Sequence, residues 1–245
     1  MHVSKILGII LILLSILFLG LQSQVLEIEA SGVKSLAMIL LTLLYILKVK
    51  KKHMLFLLFL IFFTVAEIFN YVTWVRDFEM DEGTDYLYYV GNALYILSYT
   101  FLIARIFVGT NMIKAISKFP MQTLLLVVLG VFVVYLVTDT TKSELDNSQY
   151  TLEFSYNAVI VFLMCSALVN YMFKDNKKSM NLLIGSICIV FSEILQLAYF
   201  YIADSNILNL LCSMFLVAAF VFFYLQSRLE NEVTMSYAQQ HNLKV

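Results

Sequence analysis

Charge is the scarcest feature of the 245-residue sequence, in which 13% of residues are charged and 61% are hydrophobic. Soluble domains carry about 25% charged residues, because their exterior must be solvated. The composition therefore excludes a soluble globular enzyme and a disordered chain. A net charge of −1 leaves no basic surface for nucleic acid. One proline and eight glycines are typical of long, uninterrupted helices. These shortages together predict an all-α polytopic membrane protein.

Cysteine and histidine are also rare. The sequence has three of each: Cys165, Cys188 and Cys212, and His2, His53 and His241. The cysteines lie in apolar runs, and their odd number and spacing fit no disulfide framework. The histidines fall at the termini or in a connection, and no two are spaced as a metal pair. We therefore expect neither a metal site nor a cofactor.

Apolar runs of about 17–25 residues predict membrane-spanning helices, since about 20 residues at 1.5 Å each cross the hydrocarbon core. Eight runs qualify: Ile6–Gln22, Val33–Leu47, Met54–Val75, Tyr86–Phe107, Met121–Thr138, Leu152–Phe173, Asn181–Ala203 and Ile207–Leu225. The first run is longer than the core of a signal peptide and is expected to remain as a helix. We predict one transmembrane domain over residues 1–225 and a short cytoplasmic tail over 226–245.

The basic residues predict the orientation. When the spans alternate, 13 of the 16 Lys and Arg residues fall on the amino-terminal side, and only Lys34, Arg76 and Lys142 fall on the other. Because basic loops remain inside, both termini are predicted to be cytoplasmic. With no processing or sorting signal in the sequence, we expect residence in a bacterial inner membrane.

Two stretches of the chain resemble each other. Residues 51–70 align without gaps to residues 177–196 at an offset of 126, and seven of these pairs are identical, including Glu67 with Glu193. The offset covers four helices, an even number, so both copies have the same orientation in the membrane. The alignment predicts two parallel four-helix repeats.

Glu67 and Glu193 are the acidic residues expected deepest in the spans, and each lies 15 residues after its Lys-Lys pair. Both are therefore expected at one depth, where an ionisable group is costly and needs a reason. Other polar residues fall at about this level: Asn70, Asn92, Tyr95, Tyr99, Tyr156, Asn157, Ser192 and Gln196. They predict an enclosed polar pocket in which one carboxyl acts as acid and the other as base. The alternative interpretation is that tyrosine hydrogen bonds make the glutamates structural contacts between repeats.

These residues resemble the YhhN-like lysoplasmalogenase family over most of the chain. The family's Lys-Pro-Leu signature is similar to Lys34-Ser35-Leu36, and its Gly-Asp step to Ala66-Glu67. Three further motifs match at Gly91, Tyr95, Tyr99 and Leu102, at Tyr156, Met164, Ala167 and Leu168, and at Gly185 with Ser192-Glu193. The sequence departs from the pattern in having glutamate for both aspartates, Tyr99 for a histidine, and no proline after Lys34.

The resemblance implies a metal-independent hydrolase that cleaves the vinyl-ether bond of a lysoplasmalogen within the membrane. Glu67 and Glu193 would then be the acid and base. Lys34 and Arg76, expected at outer helix ends, would hold the phosphate of a lysophospholipid. Two other functions fit the same residues: a proton-coupled small-molecule transporter, and a catalytically inactive family member that binds lipid. The sequence predicts no particular oligomeric state.

Overall fold

A computed structural model describes residues 2–75 and 86–229 of the chain, with side chains from residue 5 onwards. Every regular element in these ranges is a helix: α1 His2–Ser23, α2 Glu27–Lys48, α3 Met54–Val75, α4 Tyr86–Gly109, α5 Met112–Lys118, α6 Pro120–Asp139, α7 Asn147–Lys174, α8 Lys177–Tyr201 and α9 Asn206–Arg228. All except α5 are long and apolar enough to cross a membrane. The predicted fold class, an all-α protein with eight spanning helices, is therefore confirmed. Arg76 and residues 230–245 of the predicted tail lie outside the described ranges.

Two helices, α7 and α8, begin earlier than the apolar runs predict, because polar side chains cap their first turns. The Asp146 carboxylate accepts from the Gln149 backbone N–H at 2.7 Å and so starts α7 at Asn147, five residues before the prediction. In the same way Asn176 caps α8, which begins at Lys177. The short helix α5 was not predicted, because a seven-residue helix capped by Asn111 leaves no long apolar run.

The second helix begins at Glu27, six residues before the predicted Val33. Glu27 and Glu29 lie in its first turn, where a carboxylate is stabilised by the helix dipole. An apolar window cannot detect this acidic turn. Lys34 consequently lies about 10 Å along α2, and not at the helix end where the sequence placed it.

Seven helices form a closed ring in the described part of the chain. Each contacts the next in the order α1, α2, α3, α4, α7, α8, α9, and α9 returns to α1. Helix α6 packs outside this ring on α7, and its residues Leu125, Val128 and Phe132 are largely exposed, as on a lipid-facing surface. The ring brings α3 and α8, the helices of the two predicted acids, around one interior.

An aromatic cluster fills the interior between α3, α4 and α9. Phe59 is stacked on Phe220 with ring centroids 5.9 Å apart, and Phe63 meets Phe220 edge-on at 4.6 Å. Tyr95 and Tyr99 of α4 pack edge-on against Phe63. Two members of this cluster, Phe63 and Tyr95, also line the polar cavity described below.

Candidate functional site

A polar cavity of about 360 Å³ lies inside the helix ring. Nine of the predicted site residues line it: Lys34, Glu67, Asn70, Asn92, Tyr95, Tyr156, Ser192, Glu193 and Gln196. Tyr99 is fully buried and reaches the cavity through its bond to Glu193. Asn157 contacts Thr138 and Glu153 instead of lining the cavity. The structure thus brings the predicted residues together, while their roles in acid–base chemistry and substrate binding stay predictions.

Glu67 is ion-paired and buried. Its Oε2 lies 2.8 Å from Nζ of Lys34, and only 2% of the Glu67 side chain is exposed. The neighbouring Ser35 hydroxyl donates to the Glu67 backbone carbonyl at 2.8 Å, which fixes α2 against α3 at this level. Lys34 therefore pairs with a carboxylate inside the bundle. The prediction that Lys34 lies at a helix end is wrong, and its predicted role in binding a substrate stays a prediction.

Glu193 is held by phenols. The Tyr99 hydroxyl donates to its Oε1 at 2.9 Å, and Tyr156 also interacts with the carboxyl group. Tyr95 lies within interaction range of both Glu67 and Glu193. Tyr99 therefore contacts one of the two predicted acids directly.

The two carboxyls therefore have different surroundings. At the offset of 126, Lys34 corresponds to Ile160, which is buried and apolar. The second half thus lacks the lysine that pairs with the first glutamate. An ammonium group in contact favours a carboxylate anion, whereas neutral phenol donors serve either protonation state. The two acids therefore differ in their hydrogen-bond and charge partners, although they align with each other in the sequence repeat.

Two further carboxylates line the cavity and were not predicted as site residues. Glu153, 5% exposed, accepts from Asn157 Nδ2 at 3.1 Å and from the Tyr88 hydroxyl at 3.4 Å. Glu27 accepts from the Tyr199 hydroxyl at 2.7 Å. Glu153 falls inside the predicted sixth span, one residue after the predicted start at Leu152.

These additions make the cavity strongly acidic. Among the described residues that line it are four glutamates, Glu27, Glu67, Glu153 and Glu193, and one basic residue, Lys34. Aromatic rings of Phe63, Trp74 and Phe200 complete the wall. A carboxylate-rich, aromatic cavity attracts cationic groups and repels a free anion.

An apolar groove of about 830 Å³ adjoins the cavity between α1, α2 and α9. Phe18, Lys34 and Leu216 line both spaces, so the groove begins where the polar cavity ends. It extends to Lys48 at the end of α2, about 21 Å from Lys34 along the helix. Its described lining residues include no aspartate or glutamate.

The remaining site features are structural. Ser192 donates from its hydroxyl to the Cys212 carbonyl at 2.9 Å and so ties α8 to α9 behind Glu193. Within residues 5–75 and 86–229, no three His, Cys, Asp or Glu side chains lie close enough to hold a metal ion.

Comparisons with protein-family models, with curated proteins and with solved structures each found no match to this chain.

Proposed function

We propose that the protein is a membrane-embedded hydrolase of ether lysophospholipids, which cleaves a vinyl-ether bond by carboxylate acid–base catalysis. The observation that carries this proposal is the junction of an acidic polar cavity with a long apolar groove at Lys34, Phe18 and Leu216. A single-chain amphiphile has this same division into a polar head and one hydrocarbon chain. Both carboxyls line the cavity beside the junction, where the bond between head and chain would lie.

The dimensions of the groove support a lipid chain as its occupant. One leaflet of the hydrocarbon core is about 15 Å thick, half of the bilayer value. The groove follows α2 for about 21 Å, so it accommodates the full length of one chain. A substrate bound in this way places its headgroup in the cavity among Glu27, Glu153 and the aromatic rings, which favours a headgroup that carries an ammonium.

The different partners of the two acids assign their roles in the proposal. Glu193, held by neutral phenols, is the general acid that protonates the carbon–carbon double bond. Glu67, paired with Lys34, is the carboxylate that stabilises the resulting oxocarbenium ion and accepts a proton from the attacking water. The hemiacetal then collapses to a fatty aldehyde and a glycerophospho-headgroup whose former ether oxygen is a free hydroxyl. The overall reaction consumes one water and needs no oxidant.

Release of fatty aldehyde from a lysoplasmalogen by the purified full-length protein tests the proposal. In heavy water, the aldehyde should carry one deuterium at the carbon next to the carbonyl, because that carbon receives the proton from solvent through Glu193. Glu193→Gln and Glu67→Gln should each lower turnover at least 100-fold. Glu144→Gln, which removes an exposed acid from the connection between α6 and α7, is the matched control. Equal turnover in all three variants would contradict the proposed roles.

A second function is favoured by the excess of carboxylates. Four glutamates against one lysine, in a cavity that lies within a helix ring, also suit a transporter for a small organic cation coupled to protons. Proteoliposomes that take up radiolabelled tetraethylammonium only under a proton gradient, and lose uptake in Glu193→Gln, would support transport. Aldehyde release without such uptake would support the hydrolase.

A further inference from the structure

A second polar centre lies away from the acidic cavity, at the end of the bundle where α2, α4 and α9 approach their connections. Its central group is the guanidinium of Arg105 on α4. Arg105 Nη2 donates to Oε1 of Gln226 on α9 at 2.9 Å, and its Cζ lies 4.9 Å from the centre of the Phe56 ring. The salt bridge of Lys34 with Glu67 is the one found among the described residues, so no described acid pairs with Arg105.

Two buried donors at this centre have no acceptor. Arg105 Nη1 and Gln226 Nε2 are both shielded from solvent and make no hydrogen bond in the described part of the chain. Gln226 is only 1% exposed, and its Nε2 belongs to the amide whose oxygen binds Arg105. The two donors without an acceptor thus belong to side chains that are hydrogen-bonded to each other. A buried charge without a counter-ion lowers the stability of the fold. A negatively charged hydrogen-bond acceptor at this position would remove that cost.

The groups around the centre are basic. Lys174 at the end of α7 lies within electrostatic range of Arg105, and Lys178 at the start of α8 within range of His53. His53 is in the connection between α2 and α3, where burial lowers its pKa and the charges of Arg105 and Lys178 lower it further. Three cations from three helices thus face one end of the bundle.

We propose that Arg105 and Gln226 form an anion-binding site for a phosphate group, either free in solution or on the headgroup of an anionic phospholipid. A phosphate oxygen accepts from Arg105 Nη1 and Gln226 Nε2 together, and Lys174 adds long-range attraction. A planar guanidinium fixed on one edge by an amide presents its other donors to such a ligand. Phe56, which Arg105 contacts, lies eleven residues before Glu67 on α3, about 16 Å along the helix, and the site does not depend on the hydrolase proposal.

Thermal unfolding of the detergent-solubilised full chain tests the site with inorganic phosphate as the probe. Phosphate should raise the unfolding midpoint in a saturable manner, compared with chloride at equal ionic strength. In Arg105→Gln, at least tenfold more phosphate should be needed for the same shift. Lys114→Gln, which neutralises an exposed base on α5, is the control and should respond like the natural chain. A second arm compares nanodiscs of phosphatidylglycerol with nanodiscs of phosphatidylcholine, and stabilisation by phosphatidylglycerol alone would assign the phosphate to a lipid.

Gln226→Glu provides a test that does not depend on losing Arg105. The carboxylate is nearly isosteric with the amide and supplies a negative charge beside the guanidinium. The variant should unfold at a higher temperature without phosphate and should no longer respond to it. The proposal is overturned if neither phosphate nor phosphatidylglycerol stabilises the natural chain, or if the response persists in both variants. A response that appears only in Glu230→Gln/Glu232→Gln would also overturn it, since a carboxylate of the tail would then be the anion.

Discussion

Nζ of Lys34 and Oε2 of Glu67 lie 2.8 Å apart, and their ion pair joins α2 to α3 inside the helix ring. The contact gives one member of the repeat-related acid pair a cationic partner. Its partner Glu193 takes a hydrogen bond from the Tyr99 phenol instead. Two acids at equal positions in a sequence repeat thus have unequal electrostatic surroundings, as a division into acid and base requires.

Breaking this ion pair from one side should destabilise the protein. Lys34→Met keeps the length of the side chain but leaves the buried Glu67 carboxylate without a counter-ion, which costs about 3 kcal/mol. Glu67→Gln should also be destabilising, because Lys34 then lacks its partner. Lys34→Met/Glu67→Gln removes both charges and should recover part of the loss. Unfolding by sodium dodecyl sulfate in mixed micelles measures the three free energies, and strictly additive losses would show that the pair contributes no coupling.

Tyr99→Phe should slow aldehyde release about tenfold, because a hydrogen bond to a carboxyl group contributes about 1.4 kcal/mol. The variant keeps the ring that packs between Phe63 and Tyr156 and removes only the donor to Glu193 Oε1. Tyr99→His restores a donor and should recover turnover. Tyr135→Phe on the exposed surface of α6 is the control. Unchanged turnover in Tyr99→Phe would show that the phenol does not assist Glu193.

The sequence was sufficient to predict the spanning helices and the convergence of Glu67 and Glu193. Both depend on local quantities, since the length of an apolar run and the distance from a lysine pair are read along a single helix. The closed ring of seven helices, with α6 outside, depends on contacts between helices and has no signature in spacing. The predicted parallel repeat, the orientation in the membrane and the cytoplasmic termini stay predictions.

The polar contacts that the sequence missed all cross between helices or lie at helix ends. Lys34 was predicted at a helix end because an apolar window does not detect the acidic first turn of α2. The helix begins six residues earlier than predicted, and Lys34 therefore lies inside the bundle beside Glu67. Glu153 lies next to the predicted start of the sixth span, whereas the Asp146 cap starts α7 at Asn147 and places Glu153 in the second turn of the helix. Asn157 has the depth of the cavity but faces Thr138, since depth along a helix does not determine the direction of a side chain.

Gly185→Ala should lower stability by about 1–3 kcal/mol through overpacking. A Cβ at this position would lie 2.5 Å from Cε1 of Phe223, a ring with no exposed area at the interface of α8 and α9. Shortening the ring in Gly185→Ala/Phe223→Leu should recover part of the loss. Gly8→Ala is the matched control, because nothing lies within 4 Å of its added methyl group. Thermal unfolding midpoints in detergent compare the variants, and equal losses at both glycines would contradict the packing argument.

Asp146 should make the start of α7 sensitive to acid. The backbone N–H of Gln149 and the hydroxyl of Ser148 donate to its carboxylate, and these bonds hold the pKa of Asp146 below its ordinary value of 3.8. Because the folded pKa is the lower one, the stabilisation is fully present above the ordinary value and is lost as the pH falls through the folded pKa.

Asp146→Asn isolates this acid sensitivity. An asparagine cap accepts the same backbone bond without titrating, so its contribution should be constant with pH. The unfolding midpoint of the natural chain, measured against that of Asp146→Asn, should therefore stay level from about pH 7 to 5 and fall as the pH is lowered from about 4 to 2. Other carboxyl groups titrate equally in both proteins, so their contributions cancel in the difference. A difference that stays constant down to the lowest pH, or that grows in favour of the natural chain, would show that the Asp146 carboxylate does not stabilise α7 through its charge.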